Sequence, residues 1–348
     1  MIRRFVRPPP VRLLAVLAVI AVATATARSQ GSLSFQGGVD LINVTTTVTD
    51  DDGRFVQGLR QEDFTVFEDG ERQDVTYFSD ERVPVSLGIV LDASGSMTAD
   101  KLSAARSAID RLIYDLLGDD DELFFLEFGN RPNLVQEWTT NRRAISRAIA
   151  RVTPSGGTAM FDAVARALPV AGVGRHPKKA LLVISDGNDT NSRLSVAELQ
   201  PLIRESEVLV YALGVDGTEP TRRSRPRIRL PPPPRFPFPG RAPQLPGRGP
   251  ERRSPPIIPG RTWSAGTRER VDADALRRMT DDTGGRTEII RGFRGLDEAT
   301  SRLAEELSRQ YSLGYESPRH RDGTWHAIRV EVTDRQLTVR ARHGYIAS

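Results

Sequence analysis

Asp92, Ser94 and Ser96 stand one residue apart where an apolar run, Val85 to Leu91, breaks off and a helical pattern begins. Asp186 ends a second such run, in VISDGNDTNS, and Thr158 lies in the Gly-rich stretch TPSGGTAMFD just ahead of another helical pattern. All five side chains offer hard oxygen. Neutral hydroxyls with a few carboxylates suit Mg²⁺ or Mn²⁺ in an octahedral shell, at about 2.0–2.1 Å for Mg²⁺. Where the hydroxyls bind directly and the carboxylates act partly through water, the ion's charge is poorly neutralised. It then favours an acidic group from outside, a Glu or Asp of a partner protein. An isolated Asp-x-Ser after a strand is as well explained by a turn and a helix N-cap. The concurrence with Thr158 and Asp186 favours the metal. Asp162 and Asp189 stand near enough to compete as ligands but read as a helix-start residue and a turn residue; Met97 reads as packing.

In an open α/β sheet, ligands bind outside the carboxyl ends of the strands, so these residues require such a sheet beneath them. From 84 to about 215 the sequence supplies one. VSLGIVLD is followed by Leu102, Ala105, Ile109, Leu112, Ile113 and Leu116, spaced for one helical face. Strand ELFFLEFG, helices around RRAISRAIARV and MFDAVARALPVA, strand KALLVISD, a helix near SVAELQPLIRESE and strand VLVYALGV continue the series. Strands apolar throughout, alternating with helices, indicate a mostly parallel sheet covered on both faces. The pattern resumes after an interruption with DADALRRMTDDTGGRTEII and the helix GLDEATSRLAEELSRQ.

Short β segments lie on either side. Residues 39 to 80 alternate, with turn signals at Asp52-Gly53 and Asp69-Gly70, and fit four or five antiparallel strands. The tail after Gln310 returns to alternating β with a turn at Asp322-Gly323. Neither half is large enough to stand alone. The expectation is therefore an α/β fold, a doubly wound, mostly parallel sheet, flanked by a small β-sandwich that the N- and C-terminal strands build together. The domains read as 36–82 and 296–348 for the sandwich halves and 84–295 for the α/β unit, broken by an insertion over 217–268.

Residues 1–27 carry Arg3, Arg4, Arg7 and Arg12, the apolar LLAVLAVIAVATATA, and an Ala25-Thr26-Ala27 cleavage pattern. That reads as a secretory signal peptide rather than a membrane span, and the mature protein is expected to be exported to the periplasm, envelope or medium. With no cysteine in the chain, disulfides, thiolate metal sites and thiol nucleophiles are excluded. The net charge of +4 misleads, because the leader holds four Arg and residues 217–270 hold thirteen Arg against three Glu. The remainder has 32 basic residues against 42 acidic ones. The folded parts are thus acidic, which argues against nucleic acid as a partner. The Arg/Pro/Gly-rich insertion reads as an extended, self-repelling linker.

DASGSM, Thr158 and SDG resemble, in order, the metal-ion-dependent adhesion site (MIDAS) of von Willebrand factor type A (VWFA) domains. That resemblance implies a Rossmann-like fold over the α/β region and a metal, Mg²⁺ or alternatively Mn²⁺ or Ca²⁺, on Asp92, Ser94, Ser96, Thr158 and Asp186. The flanks VTDDDGRFVQGLRQEDFTVFEDGERQ and QYSLGYES resemble the VWFA-related exported proteins typical of Acidobacteria. A phosphatase with an aspartyl nucleophile would want Asp at position 94, and neither a G-x-S-x-G elbow nor a phosphate loop is present. His176, His320, His326 and His343 show no ligand or triad spacing and read as surface residues. The function expected is a non-enzymatic, adhesion-type module that binds an acidic group of a partner protein. The alternatives are a metal-assisted hydrolase, for which Asp189 is the one candidate base, and a structural envelope protein with a vestigial site.

Overall fold

The computed structural model describes residues 41–186, 188–216, 271–292, 295–317 and 322–347. The expected leader and the Arg/Pro-rich insertion lie outside them. The chain begins with β1 (Leu41–Thr49), β2 (Phe64–Glu68), β3 (Glu71–Gln73) and β4 (Val75–Ser79). Asp69 and Gly70 join β2 to β3 with φ of 51° and 84°, the left-handed pair that an Asp-Gly hairpin turn demands.

The α/β unit follows as β5 (Val85–Asp92), α1 (Ala99–Arg111), β6 (Glu122–Phe128), β7 (Pro132–Thr139), α2 (Arg142–Ala150), α3 (Met160–Gly172), β8 (Lys178–Ser185), α4 (Val196–Glu205), β9 (Leu209–Asp216), α5 (Ala273–Thr280), β10 (Thr287–Arg291) and α6 (Leu296–Ser308). Its six strands lie in the order β10-β9-β8-β5-β6-β7. All neighbours are parallel except β7, which runs antiparallel to β6. Every residue of β5 is buried because both faces are covered. Leu87, Ile89 and Leu91 pack with α1, α2 and α6, while Val90, Leu181 and Val183 pack with α3, α4 and α5. The strand β7 is an element the sequence reading lacks; its side chains alternate between half-buried and exposed at the sheet edge.

The chain ends in β11 (Tyr311–Glu316), β12 (Trp325–Val332), β13 (Thr338–Ala341) and β14 (Gly344–Ile346). These return to the first four strands and form two antiparallel sheets, β13-β1-β11-β4 and β14-β12-β2-β3. Leu41 pairs with Glu316 and Phe64 with Val332. Val44, Val66, Tyr311, Leu313, Tyr315 and Ile328 fill the space between them. The expected fold class, a doubly wound α/β sheet with a β-sandwich drawn from both ends of the chain, is the one observed.

Lys178, at the start of β8, is 4% exposed and its ammonium donates to the Leu307 carbonyl at 2.9 Å. Burial, helped by the charge of Arg82, lowers its pKa to about 8. Between that value and the ordinary lysine range the unfolded chain binds the extra proton, so stability rises with pH. Urea titrations should show a gain of about 2 kcal/mol between pH 7 and pH 9.5, and Lys178→Met should abolish that slope.

Candidate metal centre

Asp92 closes β5, a central strand of the sheet, at its carboxyl end. Its Oδ1 accepts the Ser94 backbone N–H at 2.7 Å, an Asx turn that ends the strand. Its Oδ2 accepts the Ser185 hydroxyl at 2.5 Å. Asp92 has no exposed surface. Burial, aided by the charge of Asp186, raises its carboxyl pKa against the opposing pull of the Ser185 and Ser94 hydrogen bonds.

The hydroxyls continue the chain of contacts. Ser94 Oγ and Ser96 Oγ are 2.9 Å apart, and Ser96 Oγ donates to Asp186 Oδ1 at 2.7 Å. Asp186, just beyond β8, receives the Lys101 ammonium on Oδ2. Ser94 and Asp186 are buried, whereas Ser96 opens to solvent. Four of the five expected ligands thus form one connected string of oxygens delivered by two strand ends.

Thr158 is brought beside them by its backbone. The loop before α3 is stitched to the Ser94 loop by Gly95 N–H to Gly156 O at 2.9 Å and Ser155 N–H to Ala93 O at 2.8 Å. Its N–H donates to Thr190 Oγ1 at 3.0 Å, and its carbonyl accepts from Thr190 and Asn191. Among the described residues, no hydrogen bond joins its hydroxyl to the other four. Asp162, in the first turn of α3, and Asp189, in the loop after β8, are the helix-start and turn residues expected. Asp189 Oδ2 accepts the Phe161 N–H at 3.0 Å and the Ser192 hydroxyl at 2.5 Å, and Asp162 accepts from Arg193 and Leu194. Met97 is buried in the core.

Two participants escape the sequence reading. Lys101 reaches Asp186 from the first turn of α1, where a lysine looks like ordinary helix surface. Ser185 faces Asp92 because it is the last residue of β8, one strand over. The donor set consists of hydroxyls and carboxylates, and it fits a hard divalent cation. The charge of Asp186 is answered by the Lys101 ammonium.

A six-stranded doubly wound sheet bearing such loops at its carboxyl edge defines a class of α/β module. Residues 87–188 match the family model of the von Willebrand factor type A domain, and the chain carries a domain of this family. Such domains are typically protein-interaction modules and commonly bind a divalent metal. The uncharacterized protein sll0103 of Synechocystis is 32% identical over 139 residues, covering 39% of this chain and 33% of that protein. Inter-alpha-trypsin inhibitor heavy chain H2 of Mus musculus is 28% identical over 148 residues, covering 38% of this chain and 16% of its own length. The chain therefore spans a third or less of these two relatives. A solved von Willebrand factor type A structure from Catenulispora acidiphila shares 14% identity at a TM-score of 0.45, over 90% of this chain and 76% of that one.

Proposed function

We propose that this protein is an exported, non-enzymatic binding module whose Asp92, Ser94, Ser96 and Asp186 hold a divalent ion, Mg²⁺ or its like, for an acidic side chain of a partner protein. The observation that carries the reading is the unbroken string from the Asp92 loop through Ser94 and Ser96 to Asp186. The bound ion supplies a positive centre that a carboxylate can reach. Ser94 and Ser96 would supply hydroxyl ligands from the loop whose backbone the Asx turn at Asp92 fixes. Asp92 and Asp186 would contribute negative charge, and Lys101 would compete with the ion for Asp186 Oδ2. Thr158, held in the neighbouring loop by its backbone, would be the fifth ligand.

The hydrolase alternative needs Asp189 as a base. Its Oδ2 is engaged by Phe161 and Ser192 at the start of α3, and this arrangement favours the binding reading. Export rests on the basic, apolar leader of residues 1–27. Among the described residues, no helix is long and apolar enough to cross a membrane.

Calorimetric titration with Mn²⁺ tests the ion. Asp92→Ala should weaken binding on the order of a hundredfold, and Lys101→Met should tighten it about tenfold by removing the tethered competitor, roughly 1.4 kcal/mol per decade. Capture of a partner from an envelope extract should succeed with Mg²⁺ and fail with EDTA. Equal Mn²⁺ affinity in Asp92→Ala, with an unchanged melting curve, overturns the assignment; capture indifferent to chelator overturns the metal-bridged mode of binding.

A further inference from the structure

The sandwich holds a second cluster of ligand groups that shares no residue with the Asp92 set. Glu68, Asp69 and His326 each present one metal-ligating atom, and all three atoms lie within 4.8 Å of one another. The Asp-Gly turn after β2 sets Asp69 against the start of β12. His326 Nδ1 is 2.8 Å from Asp69 Oδ2 and 4.0 Å from Glu68 Oε1. Contrary to the surface position expected for it, His326 is 5% exposed, and Glu68 is 1% exposed.

The two oxygens of Glu68 fare differently. Oε1 accepts the hydroxyls of Ser317 at 2.9 Å and Tyr345 at 3.2 Å. Oε2 is buried with no hydrogen bond. Tyr315 faces the same carboxylate, and its phenol pKa is raised first by burial and then by Glu68. Its hydroxyl also lacks a hydrogen bond of ordinary geometry. A cation seated among Glu68, Asp69 and His326 would answer the charge of both carboxylates.

The surroundings suit that cation. His326 Nε2 lies 3.3 Å from Asp322 Oδ1, so its N–H can point there and leave the Nδ1 lone pair for a metal, the usual carboxylate–histidine–metal arrangement. Asp69 Oδ1 is anchored by the Ala327 N–H at 2.9 Å, and Glu68 by Ser317 and Tyr345. One imidazole and two carboxylates make a three-ligand site that leaves a position for water. The imidazole nitrogen selects a borderline ion of the zinc type over Mg²⁺.

We propose that Glu68, Asp69 and His326 form a zinc-class metal site that braces the β2–β3 turn against β12. In a chain without cysteine, such a brace does the work of a cross-link.

Untagged full-length protein, stripped with EDTA and dialysed, is titrated with Zn²⁺ by calorimetry and with Co²⁺ by visible absorption. At least one equivalent of Zn²⁺ should bind, and Co²⁺ should develop the intense visible bands of low-coordinate cobalt. His326→Gln should weaken Zn²⁺ binding a hundredfold or more and bleach the cobalt bands. Asp69→Asn, at a partly exposed turn, should weaken it tenfold or more and serves if His326→Gln fails to fold. Asp92→Ala should leave Zn²⁺ affinity unchanged, which separates this site from the ion site of the α/β unit. Absence of cobalt bands in the wild type, Zn²⁺ affinity within threefold of wild type in Asp69→Asn, or an equal loss in Asp92→Ala overturns the proposal.

Discussion

Glu306→Ala is expected to lower folding stability by about 3–5 kcal/mol, the cost of stripping one member from a buried ionic network. Glu306 sits on α6 with no exposed surface. Its Oε1 accepts the Tyr211 hydroxyl from β9 at 3.0 Å and the Thr47 hydroxyl from β1 at 3.3 Å. Arg340 from β13 pairs with the same oxygen, and Arg286 Nε lies 3.3 Å from Oε2. Gln310 Nε2 ties the hydroxyls together, at 3.1 Å from Thr47 and 3.0 Å from Tyr211. One carboxylate thus clasps the α/β unit to the sandwich. Its removal would leave Arg340 and Arg286, whose side chains are 29% and 26% exposed, without this carboxylate. Burial, reinforced by Glu306, holds the Tyr211 phenol far above its ordinary pKa. Urea denaturation reads the loss. The double variant Glu306→Ala, Arg340→Met should recover part of it, because the second change removes the charge left unpaired. A loss under 1 kcal/mol in the single variant would mean that water replaces the carboxylate.

The second large effect is expected at Gly285, between α5 and β10. A Cβ placed there would stand 1.9 Å from the Val210 carbonyl oxygen and 2.7 Å from its carbonyl carbon. Both are backbone atoms of β9, a strand paired on both sides, and neither can swing aside. The approach is held by Thr283, whose hydroxyl accepts from Val210 N–H at 3.0 Å and from Gly285 N–H at 3.1 Å. The Ala212 N–H also donates to the Arg286 carbonyl at 3.0 Å. Gly285→Ala should therefore cost about 3 kcal/mol or more, at the upper end of overpacking. Gly172→Ala, where a Cβ would meet nothing within 4 Å, is the control and should stay within about 0.5 kcal/mol of wild type. Thermal melts of the two variants, compared side by side, decide the matter.

Much of the architecture is legible in the amino-acid order because burial on two faces writes itself as unbroken apolar runs, as in VSLGIVLD and KALLVIS. The Asp-Gly hairpin is legible because few other pairs accept two left-handed residues. The strand β7 is not: PNLVQEWT opens on proline, lies at the edge and buries only part of alternate side chains. Asp92, Ser94, Ser96 and Asp186 stand out because they follow those runs directly. The state of Thr158 does not, since its hydroxyl depends on how two loops settle against each other. Glu306 reads as one more charge on LDEATSRLAEELS, because its partners come from β1, β9, β13 and the turn after α5. His326 looks like a surface residue for the same reason: its neighbours Glu68 and Asp69 belong to the opposite end of the chain.

The interleaving of early and late strands has a consequence in time. Strand β1 emerges during synthesis long before β11 and β13, its partners on either side. Until they arrive, Ile42, Val44 and Val48 belong to a sheet with open edges, the condition under which strands find wrong partners. The α/β unit between them can close on its own neighbours first, since β5, β6 and β8 pair at shorter range. A truncation just before Tyr311 should thus leave soluble α/β structure joined to a sticky, unmatched leading segment, and chaperone demand during biogenesis should fall on residues 41–79.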